Sequence, residues 1–130
     1  MKTKPNITIL FIVAALYDGI LGALFLFAAN TVFQLFKVTP PNHLGYVQFP
    51  GALLLIFALM FLAVAMNPIK NRNLILYGIL LKVAYCTLVF FHWFTNGIPM
   101  MWIPFAFFDL IFIGLFIWAY ISLAKERETV

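Results

Sequence analysis

Four long apolar stretches dominate the sequence of 130 residues, and each is long enough to cross a membrane as an α-helix. Such a helix needs about 20 predominantly apolar residues to cross a hydrocarbon core of roughly 30 Å. Membrane β-strands would alternate polar and apolar residues, and the four stretches show no such period. We therefore predict an all-α membrane protein, a four-transmembrane-helix bundle that forms a single domain over residues 1–130. The predicted spans are residues 7–29, 47–66, 74–94 and 100–123.

The composition agrees with lipid as the solvent of most of the surface. Hydrophobic residues make up 65% of the chain and charged residues 9%, whereas soluble domains have about 45–50% and 25%. The net charge of +4 comes from basic residues that flank the apolar stretches, which indicates membrane topology and not a nucleic-acid surface. The single cysteine, Cys86, excludes an internal disulfide and is predicted to be a buried packing residue.

Lysine and arginine residues are distributed unequally between the two sides that the spans define. The apolar run that ends at Ala29 is too long for a signal sequence, whose apolar part has about 7–15 residues, so we expect a retained first helix. Because cytoplasmic loops carry the excess of basic residues, we predict a multi-pass protein of the inner membrane with both termini in the cytoplasm. The cytoplasmic side would hold Lys2, Lys4, Lys70, Arg72, Lys125 and Arg127, and the opposite side only Lys37.

The connection between the first two spans is long for a small bundle. Residues 31–37 are apolar enough to form a short helix that lies in the membrane interface, and Pro40 and Pro41 are expected to end it. This segment is either a surface cover for the bundle or a lid over an outward-facing cavity.

Asp18, Lys82, His92 and Asp109 are ionisable residues inside the predicted spans. Such residues are costly in hydrocarbon, so they usually point into the bundle, pair with one another or line a wet cavity. At a rise of 1.5 Å per residue they lie about 12 Å (Lys82), 16 Å (Asp18), 21 Å (Asp109) and 27 Å (His92) from the cytoplasmic ends of their spans. Tyr85 shares a helical face with Lys82 and His92.

We predict that Lys82 pairs with Asp18, with Asp109 or with both. Two carboxylates and one ammonium group leave one negative charge in excess, which a proton on one carboxyl group or a protonated His92 would balance. Such a site could hold a proton, a cation or a polar headgroup. Buried ion pairs can also fix helix register with no further task, and that interpretation stays open. The candidate binding residues are Asp18, Lys82, Tyr85, His92 and Asp109.

The sequence lacks the motifs that are typical of enzymes acting on soluble substrates: a nucleotide-binding glycine loop, GxSxG, HExxH and CxxC do not occur. One histidine with one aspartate is a poor zinc site, so we predict no metal and no cofactor. Catalysis on a soluble substrate is not expected. An acid–base pair of Asp109 and His92 leaves a reaction on a lipid open.

Several short motifs are spread over nearly the whole chain. They are Leu16-Tyr17-Asp18-Gly19 with Leu21-Gly22, Pro41-Asn42-His43 through Gln48-Phe49-Pro50, Asn71-Arg72-Asn73, Tyr77-Gly78 with Leu81-Lys82, His92-Trp93, and Ile98-Pro99 through Trp102 and Asp109. With these motifs the chain resembles a group of small bacterial four-helix membrane proteins, similar in general build to the DoxX-like proteins. It is less similar to the sterol-binding EXPERA group, in which acidic residues of four helices line a ligand cavity. The resemblance implies a bacterial four-helix membrane protein and carries over no activity and no functional residue.

Three functional hypotheses follow from these observations. The first is a non-enzymatic membrane protein that binds or passes a small species (a proton, a cation, a lipid or a quinone) through a polar-lined cavity. The second is a structural or accessory membrane subunit, and the third is a small lipid-modifying enzyme. The expected partners are membrane lipids. Small residues at four-residue spacing would also allow a second copy or another membrane protein to pack closely.

Overall fold

The computed structural model describes residues 5–128, with side chains as far as Lys125, and these residues form an all-α bundle. Its long helices have 22 to 26 residues, or about 33–39 Å at 1.5 Å per residue, enough to cross a membrane. The predicted fold class, with four spans and a short helix after the first, is confirmed. The elements are α1 (Pro5–Phe27), α2 (Ala29–Leu35), α3 (Gly45–Met66), α4 (Arg72–Thr95), a 3₁₀ turn (Met100–Trp102) and α5 (Ile103–Glu128).

The four spans give the bundle two ends. The termini end carries Pro5, Lys125 and the turn between α3 and α4, and the loop end carries α2 with the segments 36–44 and 96–99. Of the basic residues predicted on the cytoplasmic side, Lys2 and Lys4 lie outside the described residues, as does the side chain of Arg127.

Large apolar side chains cover the outside of the long helices. In water this surface would be unfavourable, but in a bilayer it contacts acyl chains and needs no further cover. The chain is therefore a multi-pass membrane protein. Examples that are more than half exposed are Ile9, Leu16, Ile20, Ile56, Leu59, Leu80, Leu88, Ile111 and Ile121.

The helices pack most closely as two antiparallel pairs, α1 with α3 and α4 with α5. Gly22 and Gly51 allow the backbones of α1 and α3 to approach: a Cβ atom added to Gly22 would lie 2.6 Å from the carbonyl oxygen of Gly51. Helices α3 and α4 contact each other over a smaller region. The two pairs are therefore joined mainly by side chains in the centre of the bundle.

Two apolar clusters fill the centre, one toward each end. The cluster at the termini end contains the stacked rings of Phe11 and Phe116, whose centroids are 4.9 Å apart, with Phe61 against both. The cluster at the loop end contains Phe25 and Phe33. Between the clusters, at the middle of the spans, lie the charged residues.

The short helix α2 begins and ends two residues earlier than predicted. Lys37 adopts a left-handed conformation (φ 56°), and the N–H groups of Lys37 and Val38 donate to the carbonyl oxygens of Gln34 and Phe33. This arrangement is a helix C-cap. The expectation that Pro40 and Pro41 end the helix is therefore wrong, because the chain has already turned at Lys37.

Candidate binding site

Lys82 joins two carboxylates in the middle of the bundle. Its Nζ donates a hydrogen bond to Asp18 Oδ1 at 2.7 Å and lies 3.1 Å from Asp109 Oδ1, without hydrogen-bond geometry in the second contact. The three residues come from α4, α1 and α5 and are 1%, 1% and 6% exposed, respectively. The predicted pairing of Lys82 with both aspartates is confirmed, and we call these three residues the ion cluster.

Helical periodicity directs the three side chains inward. On α1 the residues Ala14, Asp18 and Gly22 repeat every four positions and are all buried, so Asp18 lies on a closely packed face with small neighbours. On α4 the buried positions are 75, 78, 82, 86 and 89, which are separated by steps of three or four residues and so lie on one helical face. Lys82 lies at the centre of that series.

The ion cluster carries more acceptors and more negative charge than Lys82 satisfies. Two carboxylates and one ammonium group sum to one excess negative charge. Asp18 Oδ2 and the hydroxyl of Tyr17 are buried without a hydrogen-bond partner, and Asp109 Oδ1 has only its ion-pair contact with Lys82. A buried polar atom without a partner costs about 1–3 kcal/mol, and more if it is charged, so the site is stabilised by any group that supplies a proton or a cation.

Aromatic rings flank the ammonium group on its other sides. Lys82 Nζ lies 5.1 Å from the ring centroids of both Tyr17 and Phe112. Rings at this distance attract a cation electrostatically. The same rings separate the ion cluster from the lipid-facing surface between α1 and α5, where Tyr17 and Phe112 line a wholly apolar groove.

A cavity of about 190 Å³ opens on the loop side of the ion cluster. It has room for roughly six water molecules at ~30 Å³ each, or for one compact organic group. Asp18, Lys82 and Asp109 lie at its inner end, where they are almost fully buried, and the rings of Tyr17 and Tyr85 form part of its wall. The other lining residues are apolar: Leu21, Phe25, Pro50, Leu53, Leu54, Leu81, Trp102 and Phe105.

Tyr85 lines this cavity but does not hydrogen-bond to the aspartates. Its hydroxyl donates to the backbone carbonyl oxygen of Trp102 at 2.8 Å, which ties α4 to the 3₁₀ turn before α5. Cys86, one position on, is buried as predicted, and its thiol lies 3.3 Å from the carbonyl oxygen of Ala106. Both contacts fasten the pair of helices that carries Lys82 and Asp109.

His92 lies outside the ion cluster. Its ring is exposed and packs edge-on against the neighbouring Phe91, and it does not line the cavity. The expectation that a protonated His92 balances the excess charge is therefore wrong. The reason is geometric: the buried series of α4 continues from Val89 toward Trp93, so His92 falls one residue off that face.

Trp102 was not among the predicted binding residues, since a tryptophan near the end of a span is typical of the membrane interface. The structure places its ring in the wall of the cavity, stacked on Phe25 with centroids 5.4 Å apart. One signal was present in the sequence. Trp102 precedes Asp109 by seven residues, or two helical turns, so both lie on one face.

The arrangement of the two carboxylates suits an organic cation better than a metal ion. An ammonium group already lies between the two aspartates. Among the side chains that the structure describes, which end at Lys125, no three His, Cys, Asp or Glu residues converge on a point where they could hold a metal.

No family model, curated protein or solved structure matches the chain. The resemblance to DoxX-like proteins therefore stays a prediction, and the chemistry of the site rests on its geometry.

Proposed function

We propose that this membrane protein is a non-enzymatic binding protein for a small lipophilic cation, such as an organic ammonium ion with apolar substituents. The observation that carries the proposal is an apolar cavity at whose inner end two aspartates meet a single lysine. The bound cation would lie against Asp109, because Asp18 already accepts the hydrogen bond of Lys82.

The charge and the walls of the cavity restrict which of the small species considered above (a proton, a cation, a lipid or a quinone) can bind. An excess negative charge attracts a cation or a proton and repels fatty-acid and phosphate headgroups. Apolar and aromatic walls stabilise a cation whose substituents are apolar, partly through cation–π attraction. A hydrated inorganic ion would lose most of its water in such a cavity without gaining enough oxygen ligands.

We further propose that the termini end faces the cytoplasm of a bacterial cell and that the loop end faces outward. The six-to-one bias of basic residues supports this orientation. The ion cluster would then be reached from the outer side, since the cavity lies between it and the loop end.

Titration calorimetry with benzyltrimethylammonium tests the proposed binding directly. The cation should bind to wild-type protein in detergent, and Asp109→Asn should weaken binding by about tenfold or more because it removes the excess charge. The neutral molecule neopentylbenzene has nearly the same shape and should bind much more weakly. Ser122→Ala, which alters another buried polar residue of α5, is the matched control and should leave binding unchanged.

Equal binding of the cation to wild type and to Asp109→Asn would overturn the assignment of Asp109. Equal binding of the charged and neutral molecules would show that the cavity selects shape and not charge, and would overturn the cation proposal.

A second candidate function is structural. The ion cluster connects α1, α4 and α5 between two apolar clusters, so it could serve only to fix the register of the two helix pairs. A protein that folds normally, keeps the ion cluster and binds no cation would favour this candidate.

The lipid-modifying reaction is not proposed, because Asp109 and His92 do not meet among the described side chains.

A further inference from the structure

A second cavity, of about 500 Å³, lies at the loop end under the connection between α2 and α3. Its outer walls are Val38, Thr39 and Pro41 from the connection and Tyr46 from the first turn of α3. Thr39, Pro41 and Tyr46 are exposed, so the cavity reaches the surface at this end of the bundle.

The two cavities share one wall, made of Phe25, Pro50, Leu54 and Trp102. The ring of Trp102 is the largest group in that wall. It stacks on Phe25 at 5.4 Å and meets Phe33 edge-on at 6.3 Å.

The backbone of Trp102 is held by two hydrogen bonds. Its carbonyl oxygen accepts from Tyr85 and its N–H donates to the carbonyl oxygen of Pro99. Tyr85 itself lines the inner cavity, so the residue that separates the cavities is positioned by a residue of the binding site.

We infer that the loop-end cavity is the outer compartment of the cation site, separated from the inner compartment by Trp102, and that a lipophilic cation reaches the ion cluster through it. The inference rests on the proposed function and adds the route and a second subsite. The charged group of the cation lies at Asp109, and an apolar substituent lies beyond Trp102 among Phe33, Val38 and Val47.

The alternative route is a lateral opening toward lipid. Leu53 and Leu81 line the inner cavity where α3 and α4 face each other, and these helices contact over a smaller region than the tightly packed pairs. A cation entering there would have to cross hydrocarbon first, which costs far more than passing apolar side chains in contact with the aqueous face.

Thiol labelling in nanodiscs tests the route. In a Cys86→Ala background, Leu21→Cys places a thiol in the wall of the inner cavity only. The membrane-impermeant cation trimethylammonioethyl methanethiosulfonate should label it faster than the anion sulfonatoethyl methanethiosulfonate, by on the order of tenfold or more for a negatively charged site. Ile20→Cys, exposed to lipid at the adjacent position, should react with neither reagent.

Filling the outer compartment gives the decisive comparison. Val38→Phe combined with Val47→Phe should slow labelling of Leu21→Cys by about tenfold, because both residues line the outer cavity and the larger side chains would fill part of it. Ile56→Phe with Leu59→Phe adds the same bulk on the exposed face of α3 and should leave the rate unchanged. Circular dichroism and gel filtration confirm that each variant folds.

The outcomes separate the two proposals. Unchanged labelling in the filled variant, or no labelling by either reagent, would overturn the route, while benzyltrimethylammonium binding still decides the function. Equal rates for the cationic and anionic reagents would contradict the excess negative charge and with it the proposed function.

Discussion

Lys82 has two carboxylate neighbours but donates a hydrogen bond to only one of them, so Asp18 and Asp109 differ in role. Asp18 is the ion-pair partner at 2.7 Å, and Asp109 is the second carboxylate at 3.1 Å, with an oxygen that has no hydrogen-bond partner. A chain that needed only a structural ion pair would need one carboxylate.

Substitution of Lys82 and of Asp109 should affect stability very differently. Lys82→Met leaves two carboxylates together without a cation and should lower the free energy of unfolding by about 3–5 kcal/mol. Asp109→Asn keeps the pair of Lys82 with Asp18 and should cost about 1 kcal/mol or less. Unfolding by sodium dodecyl sulfate in mixed micelles measures both, and equal losses would contradict the division of roles.

Two tyrosines lie near the ion cluster, and removing the hydroxyl group should change the free energy of unfolding in opposite directions at the two positions. The hydroxyl of Tyr17 is buried without a partner, so Tyr17→Phe should stabilise the fold by up to about 1 kcal/mol. The hydroxyl of Tyr85 donates to Trp102, so Tyr85→Phe should destabilise it by about 1 kcal/mol. A loss of stability in Tyr17→Phe would contradict this prediction, because it would mean that the hydroxyl group makes a stabilising hydrogen bond.

At the scale of the elements, the contact of α1 with α3 depends on two glycines. A Cβ atom at Gly51 would lie 2.9 Å from the backbone nitrogen of Leu26, and one at Gly22 would lie 2.6 Å from the carbonyl oxygen of Gly51. The neighbours are backbone atoms of α1 and α3, which can give way only if the helices separate.

Alanine at either glycine should therefore destabilise the bundle by about 1–3 kcal/mol. Gly114→Ala on α5 is the matched control, since a Cβ atom there meets nothing within 4 Å. That substitution should be neutral or stabilising, because alanine is the better helix former. If thermal unfolding of Gly22→Ala matches that of Gly114→Ala, the close packing of α1 on α3 is refuted.

Spans and buried charges were predictable because hydrocarbon imposes simple rules on composition and length. The meeting of Asp18, Lys82 and Asp109 followed from the cost of a charge in lipid. The end of α2 at Leu35, followed by the left-handed turn at Lys37, was not predictable, because a left-handed lysine has no sequence signal, whereas Pro40 and Pro41 gave a strong but later one. The positions of His92 and Trp102 could not be predicted, because a small rotation of a helix decides whether a residue at the border of the buried face points into the bundle or out of it.

For the whole molecule, orientation can be tested with two surface lysines on opposite ends. In a Cys86→Ala background, an impermeant maleimide should label Lys37→Cys in intact cells and Lys70→Cys only after lysis. Both residues are exposed, so accessibility to the reagent depends on the side of the membrane alone. The reverse pattern would place the termini end outside and contradict the proposed orientation.

The central claim is that one carboxyl group of the ion cluster holds a proton until a bound cation replaces that proton, because an excess negative charge is costly in a low dielectric. The chain has only four acidic residues, and Glu126 and Glu128 follow the last apolar stretch, so the carboxyl signals of the bundle come from Asp18 and Asp109.

Infrared difference spectroscopy of the protein in nanodiscs at neutral pH measures that proton directly. The carbonyl band of a protonated carboxyl group should be present in wild type, decrease when benzyltrimethylammonium is added, and be missing in Asp109→Asn. A band that is absent from the wild type, or that persists unchanged when the cation binds, would contradict the account.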